Sequence, residues 1–274
     1  MTAQSSRSRA AGSRLWLVPI MIGLIGTAWA ALLLWEQSPY GRYLDHGDWM
    51  AIGLAARICR AIPAGDWLLP GLLYVGGWLL MTAAMMLPTV LPLLRLFDRL
   101  FAARQDRSLL IALLVGGYLL VWAGFGIAAH LLDAGLHGAV RRFDWLLQNG
   151  WVPGAAVLAI AGLFQFSRLK YRCLDKCRTP FSFIAQHWRG PTPRRAAFRL
   201  GLHHGAFCVG CCWAIMLLMF VVGAGSFGWM LLLGVAMALE KNVTWGRRLI
   251  QPLGIGLLAS SGIVVAENTW RWLL

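Results

Sequence analysis

Sulfur and imidazole side chains are concentrated between Gly201 and Met219, in the segment GLHHGAFCVGCCWAIMLLM. At about 3.6 residues per turn, a helix over this segment places one set of them along a single stripe. Thiolate, thioether and imidazole groups suit soft metal ions, above all Cu(I). Such donors on one face of a membrane-buried helix indicate a function. The stripe comprises His204, Cys208, Cys211, Cys212, Met216 and Met219.

A second apolar segment, MTAAMMLP, offers donors that could face this stripe. With a rise of about 1.5 Å per residue, Met85 and Cys208 lie at about 13 and 10 Å from the inner ends of their predicted spans. Met81 and Met216 lie at about 20 and 22 Å by the same arithmetic. If the two helices adjoin, the four side chains form a ladder of soft ligands. For the methionines alone, packing is the competing interpretation.

Five of the six cysteines fall between Cys173 and Cys212, and such clustering with histidine is typical of a metal or redox site. The pair Cys173 and Cys177 could form a relay towards Cys208, or could have no role. Glu240 ends a predicted span, where it faces either water or an entering ion. Cys59 receives no role. The expected primary ligands are Cys208, Cys211 and Cys212, the flanking ligands His204 and Met216, the facing donors Met81 and Met85, and the secondary residues Cys173, Cys177, His203, Met219 and Glu240.

The composition predicts an all-α, polytopic transmembrane helix bundle. The chain of 274 residues is 59% hydrophobic and only 13% charged, and it contains several long apolar runs. We expect one membrane domain over residues 15–274. Seven spans are predicted: Leu15–Trp35, Leu68–Leu94, Leu109–Leu132, Trp151–Phe166, His203–Val222, Phe227–Leu239 and Ile250–Ala266.

The distribution of basic residues predicts the orientation. With the N-terminus inside, 19 of the 25 lysines and arginines lie in cytoplasmic segments, and 6 lie outside. The positive-inside rule therefore favours a cytoplasmic segment 1–14, an outer loop 36–66 and a basic cytoplasmic loop 167–202. The first apolar run is longer than a signal-peptide core, so we expect a retained helix in a bacterial inner (plasma) membrane.

The net charge of +14 does not indicate a nucleic-acid partner. Basic residues beside membrane spans are explained by topology and by attraction to anionic lipid. Gly201 and Gly205 have the GxxxG spacing that lets a neighbouring helix approach closely. We therefore expect membrane lipid and a metal ion as partners, and no nucleic acid.

Four segments in this order carry a resemblance to a known family: MTAAMMLP, CLDKCRTPFSF, the GCCW core within Gly201–Gly223, and ALEKN. Together they resemble the predicted metal-binding integral membrane proteins of bacteria, a family of unknown function. The resemblance extends from Trp67 to about Gly256. It implies a membrane protein that binds metal through these motifs.

The sequence therefore predicts Cu(I) handling, as transport or as delivery to a membrane copper enzyme or a soluble copper carrier. Zinc is the alternative ion, but structural zinc prefers cysteine and histidine without methionine. Catalytic signatures such as HExxH, a Walker loop or GxGxxG are absent from the sequence, which favours a non-enzymatic role. Two alternatives stay open: a membrane thiol–disulfide oxidoreductase, which needs a resolving thiol, and a non-catalytic subunit of a membrane complex.

Overall fold

The computed structural model describes residues 17–37, 68–190, 192–222 and 226–270, and every regular element among them is helical. The predicted helix bundle is confirmed in this part of the chain. The segment 1–14, nearly all of the loop 36–66 and Cys59 lie outside the described residues. The helices are α1 (Leu17–Glu36), α2 (Leu68–Leu100), α3 (Arg107–Arg142), α4 (Asp144–Gln148), α5 (Val152–Gln165), α6 (Arg168–Arg178), α7 (Pro180–His187), α8 (Pro193–Leu217), α9 (Met219–Val222), α10 (Phe227–Asn242) and α11 (Ile250–Trp270), with a 3-10 turn at Thr244–Leu249 before the last.

Four segments of the described chain are long and apolar enough to cross a membrane, namely Tyr74–Leu100, Arg107–Val140, Pro193–Val221 and Thr244–Trp270. A fifth is obtained if α5 and α6, which meet at a bend of 64°, count as one span. The two other predicted spans correspond to the shorter helices α1 and α10. The total of seven spans and the orientation of the termini stay predictions.

The predicted basic loop 167–202 differs from the structure, because most of it is helical. Helix α6 begins after Ser167, whose hydroxyl accepts a hydrogen bond from the backbone N–H of Lys170 at 3.1 Å. Helix α8 begins at Pro193, ten residues before the predicted span at His203. Proline at the first helical position has the required φ and lacks an N–H that would stay unpaired. With the exception of Arg189, the basic residues in this segment therefore lie on helices.

Helix α8 lies at the centre of the bundle. In its most apolar stretch of 18 residues 72% is buried, whereas in the corresponding stretch of the segment containing α11 only 17% is buried. It packs most extensively on α3. A methyl group added at Gly201 would overlap the backbone of Leu114, and one at Gly205 would lie 3.1 Å from the carbonyl oxygen of Tyr118. The two backbones thus touch at these glycines, which confirms the close approach expected from the GxxxG spacing.

The end of α10 is held in place by the elements around it. The chain leaves α10 through the 3-10 turn, and a methyl group added at Gly246 would overlap the backbone of Leu239. The guanidinium of Arg178 donates hydrogen bonds to the carbonyl oxygen of Glu240 and, at 3.1 Å, to that of Thr244. The last turn of α10 is therefore fixed against α6, and this positions the side chains of Glu240 and Lys241.

Candidate metal site

The stripe predicted on α8 is the buried face of that helix. His204, Cys208, Cys211, Cys212 and Met216 are at most 3% exposed. Met219 is also buried but belongs to the short helix α9, because α8 ends at Leu217. His203 is exposed, and its ring lies 5.1 Å from that of His187, so the structure does not bring it to the stripe.

The three thiols of the stripe lie close together. The thiols of Cys211 and Cys212 both donate to the carbonyl oxygen of Cys208, at 3.1 and 2.8 Å. A spacing of three and four residues along the helix places these groups one turn apart on the same face.

Helix α6 brings the two remaining described cysteines against this face. The Sγ atoms of Cys177 and Cys211 are 4.0 Å apart. Cys173 lies over Gly210, where an added methyl group would be 2.8 Å from its sulfur. The Cys173-x3-Cys177 motif therefore extends the sulfur face of α8 onto a second helix.

Helix α2 contributes a methionine, but it is Met86 that reaches a thiol. The Cys212 thiol lies 4.0 Å from the sulfur of Met86. Met85 packs towards α10, where a methyl group added at Gly234 would lie 3.5 Å from its Cγ. Met81 is buried as well. We call the side chains of Met86, Cys177, Cys208, Cys211 and Cys212 the sulfur site.

A lysine that sequence reasoning did not single out lies among these sulfurs. Lys241 is 5% exposed, and its ammonium donates to the Sγ of Cys208 at 2.9 Å. It also lies 3.8 Å from the sulfurs of Cys212 and Met86 and 3.5 Å from the hydroxyl of Thr89. A positive charge is thus placed where soft, electron-rich atoms converge.

Aromatic groups from α3 and α7 enclose the other side of the site. The phenol oxygen of Tyr118 lies 3.1 Å from the Sγ of Cys208. The ring of Phe183 meets His204 edge-on at 5.2 Å. The Nδ1 atom of His204 is buried and has no hydrogen-bond partner among the described residues. This nitrogen is therefore a donor position that the protein itself leaves unused.

Glu240 is buried and paired rather than exposed to water. Its carboxylate is 2.8 Å from the ammonium of Lys170, which also donates to Gln165. Its second oxygen, Oε1, is buried and has no hydrogen-bond partner in the part of the chain that the structure describes. Burial of both charges together is what makes each tolerable, because an isolated charge in the interior is very costly.

The sequence signal for Lys241 and Met86 was present but weak. Only three of the 25 basic residues are lysines, and Lys170 and Lys241 are both buried. This scarcity sets Lys241 apart from the arginines that flank the spans. Met85 and Met86 are adjacent on one helix, so only the packing of neighbouring helices decides which of them faces the thiols.

The chemistry of the site fits a soft ion held by few ligands. Among the described residues, no three His, Cys, Asp or Glu side chains are arranged to hold a metal ion. Close sulfur pairs are present instead, and a metal bonded to sulfur at about 2.3 Å bridges sulfurs up to about 4.6 Å apart. The pairs Cys177–Cys211 and Cys212–Met86, each at 4.0 Å, satisfy this limit.

Comparison with known proteins adds an independent finding. Residues 75–264 match the family model described as PpoB2, a copper chaperone. The matched range contains the whole sulfur site together with Lys170, Glu240 and Lys241. Neither a comparison with curated proteins nor one with solved structures gives a match.

Proposed function

We propose that this chain, which belongs to the PpoB2 copper chaperone family, binds Cu(I) inside a bacterial inner membrane and delivers it to a copper enzyme or a soluble copper carrier. The observation that carries the proposal is the convergence of sulfur atoms from α2, α6 and α8 in the buried interior. Thioether and thiolate ligands select Cu(I) among the common ions.

Cys208, Cys211 and Cys212 are the proposed primary ligands, with His204 and Met216 flanking them on the same buried face. Met86 joins Met81 and Met85 as a facing donor. Its contact of 4.0 Å with Cys212 makes it the first of the three methionines to test. Zinc fits less well, because the proposed donors include methionine thioethers, whereas structural zinc takes cysteine and histidine without methionine.

Cys177 is the proposed point of entry. It is partly exposed, whereas the thiols of α8 are fully buried. An ion held by Cys177 is already within bridging distance of Cys211. Transfer then proceeds by exchange of one sulfur ligand at a time, from α6 to α8 and on to Met86. Cys173, which lies against Gly210, is a secondary donor on the same route.

The test is the metal content of protein purified anaerobically, with the wild type beside Cys208/Cys211/Cys212→Ser. Copper should be retained by the wild type and lost in the triple variant. Cys59→Ser is the matched control and should retain copper. Equal copper in the wild type and the triple variant would refute the proposal, and zinc lost in place of copper would redefine the ion.

A second experiment separates the methionines. Met86→Ile should weaken copper binding, because it removes the thioether nearest to Cys212, whereas Met85→Ile should have a smaller effect. Isoleucine keeps the apolar volume approximately constant and removes only the sulfur. If Met86→Ile leaves copper binding unchanged, Met86 is a packing residue and not a ligand.

The distance between Cys177 and Cys211 also supports a second function, a membrane thiol–disulfide oxidoreductase. The two thiols lie 4.0 Å apart, so Cys177 is a resolving thiol within reach. This function requires Cys177 and Cys211 but not Met86. Turnover of a dithiol substrate by metal-free protein, abolished by Cys177→Ser and unchanged by Met86→Ile, would favour it over copper delivery.

A further inference from the structure

The partners of Lys241 are unusual for a buried lysine. Lysine is rarely buried unless an opposite charge pairs with it. Lys241 instead contacts two thiols, a thioether and a hydroxyl, and its shortest contact, 2.9 Å, is with the Sγ of Cys208. The carboxylate next to it in sequence, Glu240, is paired with Lys170. The polar contacts of the Lys241 ammonium are thus with the sulfur site and the hydroxyl of Thr89.

The position of the ammonium matters because it lies among the proposed copper ligands. Its three sulfur partners, Met86, Cys208 and Cys212, are all donors proposed for Cu(I). A metal ion bonded to the same sulfurs would lie within a few ångströms of Nζ. Two positive charges at that separation, away from bulk water, repel each other strongly. The ammonium and the metal ion therefore compete for one place.

We propose that Lys241 is a tethered cation that occupies the sulfur site of the empty chaperone and that Cu(I) displaces it on binding. This inference rests on the proposed function. In the exchange, Cu(I) bonds to the thioether of Met86 and to thiolate sulfurs, and the ammonium withdraws with its own protons. Each thiol that becomes a thiolate ligand breaks its S–H bond and releases the proton to water, so the charge of the site falls by one for every such ligand. No electron is transferred.

Two consequences follow from this exchange. The lysine lowers the equilibrium affinity for copper, and its return to the site assists release to an acceptor, which a chaperone requires.

The first test compares Lys241→Leu with the wild type in competition for Cu(I) against a chelator of known affinity. Leucine removes the ammonium without adding a thioether that could itself bind Cu(I). The variant should bind Cu(I) about ten-fold or more tightly, equivalent to about 1.4 kcal/mol, and should release it to the chelator more slowly. Lys176→Leu is the matched control, because the ammonium of Lys176 donates to Gln186 rather than to a sulfur atom, and it should behave as wild type. Binding by Lys241→Leu that is equal to or weaker than wild type would overturn the inference.

A second test needs no variant that alters the site. The chain has only three lysines, so lysine-selective ¹⁵N labelling gives three side-chain signals. Ag(I), a redox-inert monovalent ion with the same ligand preference, should shift the Nζ signal of Lys241 and leave that of Lys176 unchanged. An unshifted Lys241 signal in protein that retains Ag(I) would overturn the inference.

These outcomes separate the two proposals. If wild-type protein binds copper or silver independently of Cys208, Cys211 and Cys212, the proposed function fails. If binding depends on the three cysteines but Lys241→Leu gains no affinity and the Lys241 signal does not move, only the displacement by Lys241 fails.

Discussion

Lys170 and Lys241 are both buried, at 0% and 5% exposure, yet they meet opposite kinds of partner. The ammonium of Lys170 is 2.8 Å from the carboxylate of Glu240 and donates also to Gln165. The ammonium of Lys241 lies among thiols and a thioether. Lys170 forms an ion pair with a carboxylate, which is a hard group, whereas Lys241 is a cation surrounded by soft sulfur ligands.

The partners of a buried lysine determine whether its charge stabilises the fold or can be exchanged for a bound ion. A buried carboxylate that loses its cationic partner must either stay an uncompensated anion or take up a proton, and both cost free energy, so the loss of Lys170 is destabilising. Thiols can hold their protons, so the sulfur site can become neutral when its cation leaves. The pair between Lys170 and Glu240 is therefore expected to hold α6 against α10, while Lys241 is free to yield its place to an ion.

The largest expected effect is that of Lys170→Met, which leaves the carboxylate of Glu240 buried and uncompensated. Removal of one member of a buried pair costs about 3–5 kcal/mol, so the thermal unfolding midpoint in detergent should fall strongly. The double variant Lys170→Met/Glu240→Gln removes both charges and should recover much of the stability. If the single and double variants unfold at the same temperature, the pair is not what stabilises this part of the bundle.

Gly117→Ala should have the next largest effect, because the added methyl would meet the carbonyl oxygen of Phe198 on α8. A backbone atom cannot move aside as a flexible side chain does, and overpacking of this kind costs about 1–3 kcal/mol. Copper binding should weaken too, since α3 also carries Tyr118, which contacts Cys208.

Gly116→Ala is the control for this substitution, because an added methyl there meets nothing within 4 Å. It should be neutral or stabilising by about 0.5–1 kcal/mol through helix propensity. Equal destabilisation by the two neighbouring substitutions would contradict the close contact between α3 and α8. Measurement of the unfolding midpoint for both variants decides the point.

Features of the site that depend on one helix could be predicted from the sequence, whereas features that depend on how two helices pack could not. The buried stripe of α8 and the close approach at Gly201 follow from local periodicity and residue size, and the structure agrees with both. The choice of Met86 over Met85 could not be predicted in this way, because it depends on the rotation of α2 against α8. Lys241 was missed for the same reason: at the end of an apolar run, a lysine ordinarily faces headgroups, and only the fixed end of α10 turns it inward.

Lys241→Met should destabilise the protein far less than Lys170→Met. The thiols it leaves behind remain neutral, and Thr89 keeps its hydrogen bond to the carbonyl oxygen of Met86 at 2.8 Å. The loss is then that of one hydrogen-bonding group, about 1 kcal/mol. The thermal midpoint of metal-free protein measures it. A loss as large as that of Lys170→Met would mean that Lys241 is a structural residue and that the two lysines do not differ in kind.

The smallest effect is expected at the ion pair between Arg247 and Asp175, which joins the 3-10 turn after α10 to α6 but lies at the surface. The two side chains are 47% and 52% exposed, so water and salt screen their attraction, and such pairs contribute about 0–1 kcal/mol. Arg247→Ala should therefore change the midpoint slightly at low salt and not at all at high salt. If its effect equalled that of Lys170→Met, burial would not be what distinguishes the two ion pairs. The contrast drawn between Lys170 and Lys241 would then have to rest on the identity of their partners alone.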